Sequence, residues 1–554
     1  MKPMEDEKIR EAIKKAPSVT YPDFDLMWNK IEQNKEWQQG SKMRWFQRNN
    51  LSKAAVITGI SAVMISTPVY AAIHYNWTDV LSHKAGIHSV WEQGLGQTID
   101  QSVSNHGITL TVDTAFSDEN RTVLLYTLNP GTSYKEETLS YDKVELLNSD
   151  GQIIPGNYYQ RWNAEIGKYQ GYFETDYVLN HKRENLRFSI TNVVLTEKTE
   201  VPLSYNPANQ ETQTFEVKKD GISTVRIETF EQSEKDTLLN TTVHFEGLDQ
   251  RQRERTWTTF TVLDTKNNIV RGSKNVYGIP GASSEETESE QIYTKKQLIA
   301  DGTHFTLSYE RETGRTSGEW GMDLTLSKSE LENSTIREKL DLPVPEMLEG
   351  SKITEMIVTP SEVRLIITNQ EKYAHLPFID YELEIGGKQL SGGINYHTNP
   401  SKKTELRFEM MHMDLTSLHE QPISLTAKKR VDEYKGSEKT SIRLSNISTK
   451  PQHLQTKYGG YTVDWTYYLK DEQLYVESSS QDPTFGGINQ TYYYDGKEKI
   501  YGKPVIVNFR GEGNNKSMDV YENFAPDQLD IFVYMYTVDH LNEKITIPIN
   551  LKDQ

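Results

Sequence analysis

A run of twenty uncharged residues interrupts an otherwise polar chain of 554 residues. Residues 54–73 contain no acidic or basic side chain. As an α-helix they would extend about 30 Å, which matches the hydrocarbon core of a bilayer. A helix buried in a cytosolic protein normally keeps a polar face, and this run has none. The pattern therefore favours a transmembrane helix.

The charges that flank the run predict its orientation. Residues 37–53 carry four basic side chains and no acidic one, whereas residues 74–90 carry one of each. By the positive-inside rule the amino terminus is cytoplasmic and the long carboxy-terminal part is extracellular. Aromatic residues on both flanks are typical of a membrane–water interface. We therefore expect a single-pass protein of the plasma membrane.

Two alternatives for the run remain open. Cleavage after Ala71 would make it a signal peptide, and a buried core helix is the other reading. Secretory signals have a short amino-terminal region and an apolar core of about 7–15 residues. Here 53 residues precede the run, so we expect an uncleaved helix.

Small residues follow one face of the predicted helix. Ala55, Gly59, Ala62 and Ser66 recur at spacings that allow a second helix to approach closely. Pro68 lacks the N–H that continues a helix, which predicts a kink near the outer end. We predict these five residues as transmembrane packing positions, although small residues and proline are also ordinary in membrane helices.

The predicted helix divides the chain into parts of opposite charge. Residues 1–53 have a net charge of +3, and residues 74–554 have a net charge of −21. So acidic an exterior disfavours nucleic-acid binding, and its ordinary explanation is solubility. The chain has no cysteine, which excludes disulfides, thiol chemistry and cysteine-based zinc sites.

The amino-terminal part predicts a cytoplasmic helical arm over residues 1–36 and a basic juxtamembrane segment over residues 37–53. The second helix of the arm has one apolar face, formed by Phe24, Met27, Trp28 and Ile31. So short a helix pair buries large side chains poorly on its own. We therefore predict that this face binds a partner in the helix-in-groove manner. Alternatively, the helices pack on each other or on the membrane surface.

From residue 107 the apolar residues alternate with a period of two, which is typical of β-strands. A unit of strand, charged turn and strand occurs four times, at 107–128, 221–245, 351–369 and 460–478. The pattern predicts a mainly β exterior of four tandem immunoglobulin-like sandwiches. The predicted segments are a helical stalk over 74–105 and β modules over 106–210, 211–342, 343–448 and 449–554.

The sequence contains no motif that carries known chemistry. A nucleophile elbow, a zinc-protease motif, a phosphate-binding loop and a dinucleotide fingerprint are all missing. The histidines do not have ligand spacing. We expect no enzymatic activity, no catalytic residue, no metal and no cofactor.

A short set of motif residues follows the predicted helix. Its members are Gly94, Gly96, Gln101, Gly107, Asp118 and Arg121. This segment resembles one shared by single-span membrane proteins of spore-forming Gram-positive bacteria, mostly catalogued as a domain of unknown function and often followed by β domains. Members of that family often have glycine where Glu119 and Asn120 stand here, which leaves the turn type open.

That resemblance implies a role as a negative effector, or anti-sigma protein, of an extracytoplasmic-function sigma factor. The cytoplasmic arm would bind the sigma factor, and the outer modules would sense the envelope through a ligand or a protease. A rival hypothesis is a surface adhesion or wall-binding protein in which the arm is only an anchor. The rival predicts that function survives the loss of residues 1–40.

Overall fold

A computed structural model describes ten stretches of the chain. They are residues 77–131, 138–280, 285–328, 334–372, 374–395, 402–411, 413, 415–506, 511 and 515–551. The predicted cytoplasmic arm, juxtamembrane segment and transmembrane helix lie outside these stretches. Among the residues described, no helix is both long enough and apolar enough to cross a membrane.

The described chain consists mostly of antiparallel strands in five sheets, which confirms the prediction of a mainly β fold. Sheet A contains, in spatial order, β1 (Gln97–Asn105), β2 (Ile108–Ser117), β3 (Thr122–Asn129), β7 (Lys168–Thr175) and β6 (Asn157–Asn163). Sheet B contains β12 (Thr258–Leu263), β15 (His304–Ser327), β8 (Arg183–Leu203), β4 (Thr138–Leu147) and β5 (Ile153–Ile154). Sheet C contains β13 (Lys274–Pro280), β14 (Glu286–Thr294), β11 (Asp236–Phe245), β10 (Ile222–Glu231) and β9 (Gln213–Lys219).

The carboxy-terminal half forms two further sheets. Sheet D contains β16 (Ile336–Pro343), β17 (Lys352–Val358), β18 (Glu362–Thr368), β21 (Lys403–Glu409), β20 (Lys388–Asn395), β19 (Phe378–Ile385), β22 (Ile423–Lys435), β31 (Gln528–Ile549), β27 (Phe485–Asp495) and β28 (Glu498–Tyr501), with β23 (Ile442–Ser445) paired to β31. Sheet E contains β24 (Gln452–Tyr458), β25 (Tyr461–Lys470), β26 (Gln473–Ser479), β30 (Ser517–Tyr521) and β29 (Lys503–Ile506). The helices are α1 (Thr78–Leu81), α2 (Ala85–Glu92), α3 (Gln250–Arg255) and α4 (Lys295–Leu298), with a 3-10 helix at Leu415–Glu420.

The four recurring units of the sequence each form an antiparallel hairpin. The hairpins are β2–β3, β10–β11, β17–β18 and β25–β26. Their apolar residues alternate because successive side chains of a strand point to opposite faces of the sheet. In β10, for example, Val225 and Ile227 are buried while Arg226 between them is exposed.

The first two sandwiches share one long ribbon of sheet B. Residues 183–203 pair with residues 305–327 along almost their whole length. The late part of β15 places Trp320 and Leu324 in the core beneath sheet A, whereas its early part places Leu307 in the core beneath sheet C. The two sandwiches are therefore fused by continuous backbone pairing rather than joined by a linker.

The third and fourth sandwiches repeat this arrangement. Residues 423–435 pair with residues 535–549, so β22 and β31 form a second long ribbon. Leu425 and Ile547 belong to the third core, which sheet D encloses by curling on itself. Farther along β31, Val533 belongs to the fourth core, against sheet E.

The segment after the predicted membrane helix is not a helical stalk throughout. Residues 97–105, predicted as part of the stalk, form strand β1 and pair with β2, so the prediction is wrong there. β1 is the edge strand of sheet A, and polar side chains are common on edge strands. Its backbone forms the hydrogen bonds that the N–H and C=O groups along the outer side of β2 need. The two helices α1 and α2 pack on sheet A, where Leu81 and Ile87 share a buried apolar cluster with Leu125.

The second and fourth sandwiches contact each other through apolar side chains. Leu238 and Ile292 of sheet C share one cluster with Tyr475 and Val520 of sheet E. Leu238 lies in the recurring hairpin of the second sandwich and Tyr475 in that of the fourth. Equivalent hairpins of the two fused pairs therefore meet at this surface.

A fragment test follows from the shared ribbon. A fragment of residues 77–210 lacks the part of β15 that fills the first core, whereas a fragment of residues 77–331 retains it. We expect the first fragment to lack fixed tertiary structure, because a sandwich without one core strand leaves its apolar face exposed. The second should show dispersed amide resonances and cooperative thermal unfolding. A cooperatively folded 77–210 fragment would contradict the fused arrangement.

Candidate functional site

The loop between β2 and β3 is a tight turn closed by its own first side chain. Asp118 Oδ1 accepts hydrogen bonds from the backbone N–H groups of Asn120 (2.8 Å) and Arg121 (3.0 Å). Aspartate suits this position because its short carboxylate reaches N–H groups two and three residues further on. All three residues are buried, although two of them are charged. The turn is therefore enclosed by protein rather than by solvent.

Arg121 uses all of its donors. Its guanidinium binds Glu409 through two parallel hydrogen bonds, Nη1 to Oε1 and Nη2 to Oε2, each of 3.0 Å. A further bond of 2.7 Å joins Nη1 to Glu174 Oε1. The side chain also donates to the Ser361 hydroxyl (3.0 Å) and carbonyl oxygen (2.5 Å). All five N–H groups are occupied, which satisfies a buried arginine completely.

This guanidinium joins two sandwiches. Glu174 lies in β7 of the first sandwich, whereas Ser361 and Glu409 belong to the third. The Ser361 hydroxyl also donates to Asp118 Oδ2 (2.5 Å). Asp118 and Arg121, the first and last residues of the turn, therefore both contact the third sandwich. We call this set of contacts the Arg121 network.

The charges of the network are mutually stabilised. Burial by itself lowers the pKa of Arg121, but the carboxylates of Glu409 and Glu362 outweigh burial and hold that pKa well above its ordinary value. Burial likewise raises the pKa of Glu409, but the charge of Arg121 prevails and the pKa is lower than usual. The bidentate pair therefore remains ionised at physiological pH.

The helices that follow the predicted membrane span take part in the same network. The backbone N–H of Gly86 in α2 donates to Glu409 Oε2 (2.9 Å), and Lys84 Nζ lies 2.7 Å from Glu174 Oε2. A Cβ atom on residue 86 would lie 1.8 Å from the carbonyl oxygen of Ser361. Only glycine permits so close an approach of a helix to another backbone.

The middle residues of the turn explain a departure from the resembling family. Asn120 Nδ2 donates to the Glu362 carbonyl (3.0 Å), and the Asn120 carbonyl accepts from Arg364 Nη2 (2.6 Å). Glu119 Oε2 lies 3.1 Å from Arg337 Nη2. Glycine at these positions would make none of the side-chain contacts, so both residues serve the contact with the third sandwich.

A cleft of about 910 Å³ opens beside the Arg121 network, between the first and third sandwiches. This volume lies in the range of small-molecule sites, which is about 300–1,000 Å³. The charged residues that line it are Lys84, Glu174, Asp176, Glu362, Arg407 and Glu409, and the apolar ones are Ile153, Ile154, Pro155 and Ile394.

The other motif residues lie elsewhere in the first sandwich. Gly94 follows α2 with a φ of +65°, and Gly107 has a φ of +78° in the turn between β1 and β2. Gly96 leads into β1, and Gln101 is exposed on that strand. The structure therefore brings together the two turn residues of the motif but not the remaining four.

Nine candidate residues fall outside the described part of the chain. They are Phe24, Met27, Trp28, Ile31, Ala55, Gly59, Ala62, Ser66 and Pro68. Conversely, the sequence did not point to Ser361, Glu174 or Glu409. Ser361 lies in the turn of the third repeat that corresponds to the Asp118 turn of the first, so an alignment of the repeats could have found it. The two glutamates carry no such signal.

Comparison with known proteins identifies one segment. Residues 42–129 match the family described as a domain of unknown function (DUF4179). No curated protein matches the chain. A solved structure described as the conserved domain protein from Bacillus anthracis is similar at 11% identity, with a TM-score of 0.16, over 57% of this chain and 90% of that one.

The DUF4179 match ends at residue 129, so it includes the predicted membrane helix, α1, α2 and the Asp118 turn. The residues that complete the Arg121 network at positions 174, 361 and 409 lie beyond the match. The matched segment therefore contains the turn and the helices to which the third sandwich is attached.

The close approach of Gly86 gives a prediction. In an exposed helix, replacing glycine with alanine stabilises by about 1 kcal/mol. Here we expect Gly86→Ala to destabilise the full chain by about 1–3 kcal/mol, because the added methyl group must displace the Ser361 backbone. Thermal and urea unfolding of the purified chain measure this.

The matched control is Gly393→Ala. A Cβ atom at that position would meet nothing within 4 Å, and the residue needs no positive φ. Its unfolding midpoint should stay near that of the wild type. Equal unfolding midpoints of the two alanine variants would show that the third sandwich does not lie in close contact with α2.

Proposed function

We propose that this chain is a single-pass membrane regulator of the anti-sigma kind. Its cytoplasmic face of Phe24, Met27, Trp28 and Ile31 holds a sigma factor at the membrane. Its extracellular β-sandwiches sense the envelope, through a ligand or a protease. The residue pattern of the first 130 residues, the resemblance and the DUF4179 match support the proposal.

One contact supports the part of this proposal that concerns sensing by the extracellular sandwiches. The helices that follow the predicted span in the chain are fastened to the third sandwich through Gly86 and Glu409, which are 323 residues apart. An anchor that merely tethers a surface protein needs no such contact. A receptor needs one, because a change in a distant domain must reach the membrane helix through packed elements.

The route from the network to the membrane is short. Trp77, Leu81 and Ile87 are buried against sheet A, so the chain is held from its first described residue. Only residues 74–76 separate this anchored segment from the predicted membrane helix. An outer event that separates Glu409 from α2 would therefore remove the contact between this anchored segment and the third sandwich.

The cytoplasmic part of the proposal has a direct test. We expect the full chain to co-purify with an extracytoplasmic-function sigma factor of its own organism, and a Trp28→Ala, Ile31→Ala double variant to lose that co-purification. Large aromatic and aliphatic residues contribute most to an interface, commonly 2 kcal/mol or more for each. Quantitative immunoblotting of the captured sigma factor measures the effect.

The control is a double variant on the opposite helix face, Asn29→Ala with Gln33→Ala, which should capture the sigma factor normally. Normal capture by the Trp28→Ala, Ile31→Ala variant would overturn the predicted binding face. Absence of any sigma factor from the wild-type preparation under mild conditions would overturn the anti-sigma role itself.

A second test concerns transmission through the Arg121 network. Replacing Arg121 with methionine removes the guanidinium that Glu174 and Glu409 share and leaves them only Lys84 as a common cation. Loss of one partner of a buried pair typically costs about 3–5 kcal/mol. We expect Arg121→Met to raise transcription from a promoter that depends on the sigma factor, because the outer anchor is loosened.

The control for this reporter is Arg187→Met. Arg187 also pairs with two carboxylates, Glu319 and Asp323, but its side chain is 44% exposed and lies outside the contact between sandwiches. Surface pairs contribute little, so this variant should behave as the wild type. If Arg121→Met lowered the melting temperature without changing transcription, the network would be structural only.

The adhesion hypothesis has an observation of its own. Tyr494, Tyr501 and Tyr534 are exposed on one face of sheet D and contact neighbouring aromatic rings. Exposed aromatic rings beside polar groups are common in binding surfaces. If deletion of residues 1–40 left function intact while alanine at these tyrosines abolished wall binding, the adhesion hypothesis would replace the regulatory one.

A further inference from the structure

The cleft beside the Arg121 network and its immediate surroundings contain an unbalanced set of charges. The ion pairs there connect Lys84, Arg121, Arg364 and Arg407 with Glu174, Asp176, Glu362, Glu405 and Glu409. Five carboxylates thus face four cations. In a partly buried site an excess negative charge is costly unless it is compensated.

Glu362 is the carboxylate with the weakest partners. Its side chain is 7% exposed, yet the nearest cationic atoms are Arg364 Nη2 at 3.5 Å and Arg121 Nη1 at 4.0 Å. Among the residues that the structure describes, no hydrogen bond shorter than 3.5 Å reaches its side-chain oxygens. The cations of the cleft are already engaged by other carboxylates, such as Glu409 and Glu405.

Glu362 is one of the residues that line the cleft. Burial raises its pKa above the ordinary value, and the charges of Arg121, Arg364 and Arg407 only partly oppose this. A proton or an external cation would each remove the cost of the buried charge. A cleft open to solvent gives an external cation a path to the carboxylate.

The chemistry of the cleft restricts what that cation is. The described residues contain no group of three or more histidine or acidic side chains placed to hold a metal ion. The cleft has an apolar wall that includes Ile154, Pro155 and Ile394. Its volume of about 910 Å³ exceeds that of a hydrated ion and fits a small organic molecule.

We propose that the cleft between the first and third sandwiches binds an organic ligand with a primary ammonium group, of about the size of one or two amino acids. The ammonium group pairs with Glu362, and the aliphatic part of the ligand packs on the wall formed by Ile154, Pro155 and Ile394. This binding does not depend on any cytoplasmic partner of the chain.

Isothermal titration of the purified full chain in detergent tests the proposal with two probes. Nα-acetyl-lysine amide carries an ammonium group, and Nα-acetyl-norleucine amide has a methyl group in the same place. We expect saturable binding of the lysine probe and at least about tenfold weaker binding of the norleucine probe. A tenfold change in affinity corresponds to about 1.4 kcal/mol. That energy is close to what one hydrogen bond to a charged group contributes.

Two variants make the result specific. Glu362→Gln keeps the shape of the side chain but removes its charge, and it should weaken the lysine probe at least about tenfold. Gly393→Phe places a ring in the cleft, where a Cβ atom meets nothing within 4 Å, and should abolish binding by occupying the space. Glu420→Gln, an exposed carboxyl group of the same sandwich outside the cleft, should bind as the wild type does.

Three results would overturn the proposal. They are no saturable binding of the lysine probe to the wild type, equal binding of the two probes, and undiminished binding by Glu362→Gln. If Glu362→Gln does not fold, Gly393→Phe decides the question, because undiminished binding by that variant places the probe elsewhere. In that case, or with no binding, a proton on Glu362 would be the compensating charge.

Discussion

Two long antiparallel ribbons determine how the described part of this protein is organised. Strand β8 pairs with β15, and β22 pairs with β31, over lengths that exceed one sandwich. Backbone hydrogen bonds continue without a break from one hydrophobic core to the next. Because such bonds cannot be left unmade in a buried sheet, the two sandwiches of each pair cannot bend freely about a linker. The ribbons therefore convert four sandwiches into two rigid pairs.

The two pairs then contact each other in two different ways. The second and fourth sandwiches share an apolar surface around Leu238 and Tyr475, which is favourable in proportion to the apolar area it buries. The first and third sandwiches meet through the Arg121 network. Burying charges costs desolvation energy even when every donor is satisfied, so a network of this kind stabilises less than its many contacts suggest. Its geometry instead specifies how the third sandwich sits on the Asp118 turn.

The same geometry connects the two proposals. The Arg121 network holds α2 and the third sandwich together, and the cleft with the weakly paired Glu362 lies directly beside it. A ligand in the cleft would alter the charge balance around Arg121. Regulation of this kind requires a bound ligand to favour one arrangement of the junction over another. The structure thus places a ligand-sized opening at the junction between the first and third sandwiches.

The sequence by itself determined the four recurring hairpins. Alternating apolar residues fixed the four recurring hairpins, and Asp118 fixed its turn through contacts two and three residues away. These features depend on near neighbours in the chain, so a local pattern reveals them. The sequence also singled out Arg121, because a charged residue recurs there in a resembling family.

Only the tertiary structure decided what those elements do. The partners of Arg121 lie 53, 240 and 288 residues away, and no local pattern links an arginine to Glu174, Ser361 or Glu409. The sequence predicted a helical stalk over residues 74–105, since an exposed polar strand such as β1 lacks the apolar alternation that identifies strands. It also could not show that β15 serves two cores. The length of a strand can be read from a sequence. Which sheets pack against each end of that strand depends on contacts between segments that are distant in the chain.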